Sequence, residues 1–196
     1  MANRIALLRG VNVGGKKVVM AELRDVVASL GHADVATYIQ SGNVLFSSDQ
    51  ADTVRLAAEL ERAMADRLGV QAGVVVLTRD ELAQVARDNP YPGEPDPRFV
   101  HVVFLRADPE PDTSARLAEA EKQAAQKGSR DTAQLVGRAI FLHTPDGLGR
   151  SELAKLLSRA AGPMSAKGAG TARNWATVTK LLALCDACAA RPAGRS

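Results

Sequence analysis

The order in which two hydrophobic periods alternate along residues 4–77 constrains this chain more than any other feature. Residues 4–9 read as strand one, with an apolar run from Ile5 to Leu8 between two arginines. From Met20 to Leu30, Leu23, Val26, Val27 and Leu30 recur at the spacing of one helix face, and Gly31 is placed to end it. Val35 to Gln40 alternates as a strand, Ser41-Gly42 marks a tight turn, and Asn43 to Ser47 returns. Leu56, Leu60, Met64 and Leu68 define a second helix that Asp49 can cap and Gly69 can stop. Val74 to Leu77 is a fourth strand. The order is β-α-β-β-α-β, the split-βαβ or ferredoxin-like pattern. Right-handed crossovers place strands one and three at the centre of an antiparallel sheet.

Thr78-Arg-Asp-Glu81 is a capping box that opens a further helix, which must end before Pro90. Asn89 to Pro97 holds four of the nine prolines and reads as a stiff, irregular linker. The second half repeats the order loosely. Phe99 to Leu105 is a strand and Asp112 to Lys127 an alanine-rich helix. Thr132–Val136 and Ala139–Leu142 form a hairpin across Gly137-Arg138. Ser151 to Ala161 is a helix, 162–170 a flexible stretch, and Arg173 to about Ala190 a final helix where a last strand would otherwise stand. The expected fold is α+β: two ferredoxin-like (α-β plait) units, each an antiparallel sheet with helices on one face. The expected divisions are residues 1–80, a helix and proline-rich linker over 81–97, and residues 98–196.

Composition excludes several classes of function. A net charge of +3, from 25 basic and 22 acidic residues, is too mild to argue for nucleic acid by itself. Aromatics make up 4%, against the needs of a protein that stacks single-stranded bases. No apolar run approaches the roughly 20 residues of a membrane span, and no signal peptide is recognised, so a cytoplasmic location is expected. Cys185 and Cys188 form a lone CxxC, half of a zinc site with no second pair. No metal-ligand spacing appears, no cofactor is expected, and no nucleophile motif is present.

The chemistry that remains belongs to loops. Residues 10–19 contain Gly10, Gly14 and Gly15 with Lys16 and Lys17, between a strand and a helix. Glycines let backbone N–H groups approach an anion, and the helix start adds its positive end. The split-βαβ topology sets this loop beside the Ser41-Gly42-Asn43 turn. Arg9, Gly10, Asn12, Gly14, Gly15, Lys16 and Lys17 then meet Gln40, Ser41 and Asn43, which suits a phosphate or carboxylate. Residues 10–17 match G-x-x-x-x-G-K, but Lys17 stands where a nucleotide-binding P-loop needs Ser or Thr for magnesium. A late cluster comprises Arg150 and Ser151 at a helix start and Arg173, Asn174 and Trp175, the single tryptophan, which could fold over the same edge as a lid. Each of these residues also has an ordinary structural use, as turn, cap or packing anchor.

Taken in order, 6–16 (ALLRGVNVGGK), 20–23 (MAEL), 37–44 (TYIQSGNV), 149–151 (GRS), 173–175 (RNW) and 177–181 (TVTKL) resemble the bacterial family called domain of unknown function 1697. The resemblance implies paired α-β plait units and carries no activity. Its signature residues fall on Arg9, Gly10, Asn12, Gly14, Gly15, Lys16, Tyr38, Gln40, Ser41, Gly42, Asn43, Arg150, Ser151, Arg173, Asn174, Trp175 and Thr177. Ala176 and 164–170 depart from the family pattern. The expected function is binding of a phosphate- or carboxylate-bearing small molecule at the loop edge of the first unit. The alternatives are an RNA-binding module and a protein-interaction scaffold. No residue set names a reaction or an oligomeric state.

Overall fold

The structure, a computed structural model, describes residues 2–11, 18–159 and 170–189. The chain divides into two compact units, Met1–Ala83 with Thr179–Ser196 and Gln84–Val178. The stretch 179–196 therefore groups with the first unit.

In the first unit the elements run β1 (Arg4–Leu8), α1 (Met20–Ser29), β2 (Ala33–Tyr38), β3 (Asn43–Ser47), α2 (Thr53–Leu68), β4 (Val74–Thr78) and the first half of α3 (Arg79–Arg87). The sheet order is β2-β3-β1-β4, with every neighbouring pair antiparallel. Strands β1 and β3 are central, as the order of elements predicts. Side chains alternate across the sheet. Ala6, Leu8, Val44, Phe46, Val74 and Val76 face α1 and α2, which contribute Leu23, Val26, Val27, Leu56, Leu60 and Met64 to one buried cluster. Phe46, Val27, Leu56 and Met64 are fully buried.

Local chemistry sets the boundaries. The α2 cap is Asp52, not Asp49: its Oδ1 accepts from the Val54 and Arg55 amides, both at 3.0 Å. An N-cap must lie two or three residues from the donors it satisfies, and Asp49 stands too far back. Gly69 ends the helix in the left-handed region at φ +63°. The Thr78–Glu81 capping box forms reciprocally: the Glu81 amide donates to Thr78 Oγ1 (3.0 Å) and the Thr78 amide to Glu81 Oε2 (2.7 Å).

The second unit carries β5 (Val100–Leu105), α4 (Thr113–Ala125), β6 (Thr132–Val136), β7 (Ala139–His143), a 3₁₀ turn (Leu148–Arg150), α5 (Glu152–Leu157) and β8 (Gly170–Asn174), then the start of α6 (Trp175–Ala189). Its sheet order, β6-β7-β5-β8, is again antiparallel throughout. The β6–β7 hairpin turns at Gly137, φ +57°, as its sequence predicts. Val103, Leu105, Ile140 and Leu142 pack against Leu117 and Ala124 of α4 and Leu153 and Leu157 of α5.

Two readings of this half need correction. Arg173 and Asn174 belong to β8, which pairs with β5 from His101↔Asn174 to Leu105↔Gly170, so the final helix starts at Trp175. The second unit thus ends on the strand that its sequence hid, and the order is β-α-β-β-α-β in both halves. Helix α5 ends at Leu157, short of Ala161. The flexible stretch read over 162–170 lies outside the described residues, except for Gly170.

Candidate functional site

The end of β1 and the turn between β2 and β3 form one edge of the first sheet, because Leu7 registers with Asn43 and Tyr38 with Asn43. The Leu8 amide donates to the Gly42 carbonyl at 2.8 Å. Gly42 stands at φ +70°, and a Cβ built there would lie 2.5 Å from Val11 Cγ2 and 2.7 Å from Leu8 Cβ. The turn therefore sits directly on the root of the 10–19 loop. Only glycine meets both the backbone angle and the contact. Val11 and Val18, at the two ends of that loop, share the buried cluster beneath α1.

Asn43 fixes the turn. It is fully buried, and its Nδ2 donates to the Tyr38 carbonyl (3.1 Å) and to Ser41 Oγ (2.9 Å). One side chain thus ties the residue before the turn to the residue inside it. The sequence places Asn43 among the groups that would orient a ligand, and the structure gives its amide nitrogen this bracing role. Gln40 is exposed and Ser41 half-buried at the same edge. Arg9 is half-buried, and its amide donates to the Gly73 carbonyl at 2.8 Å. Gly10 is exposed at φ +66°. Asn12, Gly14, Gly15, Lys16 and Lys17 lie outside the described residues. Helix α1 starts from Val19, which has no side-chain acceptor for the helix amides. Beside it, Arg24 Nη1 donates to Thr37 Oγ1 at 2.9 Å, so α1 runs alongside the end of β2.

Within the second unit the late cluster does not converge. Ser151 is buried as the cap of α5: its Oγ accepts from the Ala154 amide and donates to Asp131 Oδ2, both at 2.8 Å. Arg150 is exposed in the preceding 3₁₀ turn. Arg173 registers with Val102, and Val102 with Phe141. These three share the sheet face opposite the one on which α5 packs, so the sheet separates Arg173 from Ser151. Arg173 Nη1 donates to Thr171 Oγ1 (2.9 Å) and the Ala172 carbonyl (2.7 Å), and burial pushes its guanidinium down to about 10. Asn174 Oδ1 accepts the Thr177 amide at 2.9 Å, the N-cap of α6. The Trp175 ring packs on Phe141 with centroids 6.2 Å apart. Arg173 and Asn174 are rungs of a strand, not a free flap.

Sequence reasoning passed over a polar cluster on the proline-rich segment. Glu94 Oε2 lies 2.7 Å from His143 Nε2, and the Tyr91 ring stacks on His143 at 5.2 Å. Thr132 Oγ1 donates to the Tyr91 hydroxyl at 3.0 Å. The Asp96 amide, and after it His143, hold the Glu94 carboxyl below the usual range, while burial raises the Tyr91 phenol. A tyrosine and a carboxylate within a run of prolines were the available signal: such a segment is built to dock rather than to swing. A cleft of about 440 Å3 at the opposite end of β1 is lined by Asn3, Arg4, Arg79, Asp80, Cys185 and Asp186. Arg79 is engaged there by Asp186 Oδ1, from Nε at 2.9 Å and Nη2 at 2.8 Å. Among the described residues, no group of three His, Cys, Asp or Glu could hold a metal ion. Nor is any helix among them long and apolar enough to cross a membrane.

Comparison with known proteins places these features in a family. No curated protein matches the chain. A solved structure, that of a conserved bacterial protein from Streptococcus pneumoniae, is similar at 25% identity and a TM-score of 0.67, covering 94% of this chain and 99% of that one. The model of the family described as "Protein of unknown function (DUF1697)" matches residues 1–141, which include the 10–19 loop, the Gly42 turn, all of the first sheet and the second sheet as far as the middle of β7. The chain belongs to that family.

Proposed function

We propose that the protein binds a phosphate- or carboxylate-bearing small molecule at the edge formed by the 10–19 loop and the β2–β3 turn. The observation that carries this reading is the seating of Gly42 on Leu8 and Val11. It joins two segments about thirty positions apart, one rich in glycine and lysine and one rich in neutral hydrogen-bonding groups. Lys16, Lys17 and Arg9 neutralise charge in this reading. The Gly14 and Gly15 amides cradle the anion, and Gln40 and Ser41 orient it. The α1 N-terminus, which Val19 leaves without a side-chain acceptor, adds its positive end.

We further read each unit as a ferredoxin-like plait, supported by the β-α-β-β-α-β order and the shared strand arrangement. We place the protein in the cytoplasm, in keeping with its ordinary soluble composition. The small-molecule reading is favoured over RNA because strands β1 and β3 contribute Ile5, Leu7, Asn43 and Leu45 to the sheet face away from α1 and α2. All four are at most 1% exposed, and none offers a ring for a base to stack on.

A thermal-shift screen over nucleotides, sugar phosphates, coenzyme fragments and mixed RNA tests the reading. An anionic small molecule should raise Tm, and the Lys16→Ala plus Lys17→Ala variant should lose that shift. A shift that survives the double substitution moves the site elsewhere. A salt-sensitive shift with RNA alone favours the nucleic-acid alternative.

A further inference from the structure

Arg4, at the start of β1, carries a charge that the described residues do not neutralise. Its Nε and Nη2 donate to the Gln50 carbonyl at 3.3 and 2.8 Å, and its Nη1 donates to the Asn3 carbonyl at 3.1 Å. The side chain is half-buried, and among the described residues no carboxylate pairs with it. Carbonyls fix a guanidinium in place without cancelling its charge. Three of its N–H donors are engaged in this way, which leaves one on each terminal nitrogen. A fork immobilised in advance matches the two oxygens of a carboxylate.

The surroundings supply the opposite sign. The Asn3 carbonyl also accepts the Arg79 amide at 3.1 Å, so one oxygen sets the Arg4 guanidinium beside the first residue of α3. Arg4, Arg79, Asp80 and Asp186 line the cleft of about 440 Å3 together, all within the first unit. Arg79 is already matched: Nε and Nη2 donate to Asp186 Oδ1, and Nη1 donates to Asp80 Oδ1 at 3.1 Å. Asp186 Oδ2 takes no part in this pairing, and the carboxyl is half exposed. The two cations and two anions cancel in sum without being interleaved. Arg4 stands at one pole, and the carboxylates around Arg79 stand at the other. A net-neutral cleft with separated poles favours a net-neutral guest with separated poles. A dianion would face Asp80 and Asp186, and a plain amine would face Arg4. Ala2 and Cys185, both buried, add an apolar wall. The volume falls within the roughly 300–1,000 Å3 of small-molecule sites.

We propose that this cleft binds a small zwitterion of the amino-acid class. The carboxylate lies on the open fork of Arg4, the ammonium on Asp186, and the remainder against Ala2 and Cys185. The site is at the far end of β1 from the anion edge and does not rest on that reading.

The test is calorimetric titration of the full chain with the standard amino acids. The tightest binder is then compared with two analogues, the amine that lacks its carboxylate and the acid that lacks its ammonium. Wild type should bind at least one amino acid, and each analogue about tenfold or more weakly, the share of one charge-assisted contact. Arg4→Gln should weaken the amino acid and the acid by that factor and leave the amine unchanged. Asp186→Asn should weaken the amino acid and the amine and leave the acid unchanged. The Lys16→Ala plus Lys17→Ala variant should bind as wild type does. Asp186 sits in an exposed pair whose loss costs the fold little, so it decides alone where Arg4→Gln does not fold. The inference falls if no amino acid binds wild type, if either analogue binds as well as the amino acid, or if Asp186→Asn leaves amino-acid affinity intact. It falls too if the double lysine variant abolishes binding, which would return the ligand to the anion edge.

Discussion

Gly42 carries two constraints at once: a backbone at φ +70° and a surface pressed against Val11 and Leu8. Gly42→Ala should cost about 2–4 kcal/mol, the sum of left-handed strain and overpacking, read as a lower urea midpoint with unchanged slope. Gly10, at φ +66° with open space where its Cβ would lie, should cost only the backbone share, about 1 kcal/mol, on the same substitution. Residues of this kind were partly legible. Ser41-Gly42 announces a turn, and Gly42 supplies the angle the turn needs. That Asn43 would be buried as its brace was not legible, because an asparagine after a turn looks the same whether it faces solvent or core. By period Ile39 is one more apolar position of a strand. In the structure it stands at φ +50° between the two bonds of the Asn43 brace, a tertiary feature that no window of hydrophobic periodicity registers.

At the level of elements, caps decide where helices start. Ser151→Ala removes the acceptor for the Ala154 amide and leaves buried Asp131 without one of its donors. The expected loss is about 1–2 kcal/mol by urea denaturation. Strong periodicity made α1, α2, the β6–β7 hairpin and the Thr78–Glu81 box readable. The period of α2 is legible but its cap is not, since Asp49 and Asp52 are chemically equivalent and only the geometry of the first turn separates them. Strand β8 was missed for a different reason. Gly170-Thr-Ala-Arg-Asn174 has no apolar alternation, and its strand character comes from pairing with the fully buried β5. The late cluster scattered for the same reason, because a strand puts successive residues on opposite faces.

At the scale of the whole molecule, each unit holds one histidine with a buried ring nitrogen that has no hydrogen-bond partner: His32 Nε2 and His101 Nδ1. Desolvation lowers both from their ordinary value of 6.5, with Glu59 partly opposing it at His32. The unfolded chain therefore takes up protons before the folded one does. The resulting stability is present above about pH 6.5 and is lost as pH falls through the lowered folded values. Tm should decline between pH 7 and pH 5, before most carboxylates titrate. His101→Gln should flatten that decline, as differential scanning calorimetry across the range would show. The twofold architecture was legible from the order of elements, whereas the grouping of 179–196 with the first unit was not, because nothing in the helical period of α6 records which core it serves.

That grouping has a temporal consequence. During synthesis residues 1–83 leave the ribosome first, but the segment that completes their unit follows 95 residues later. At about 5–20 residues per second the delay is on the order of 5–20 s. Until then Arg79 is without Asp186, its partner in the finished protein. Nascent chains stalled with residue 178 just exposed should be cleaved by added protease around β4 and α3, and chains released at full length should resist. The earliest part of the polypeptide to be made is thus the last to be finished.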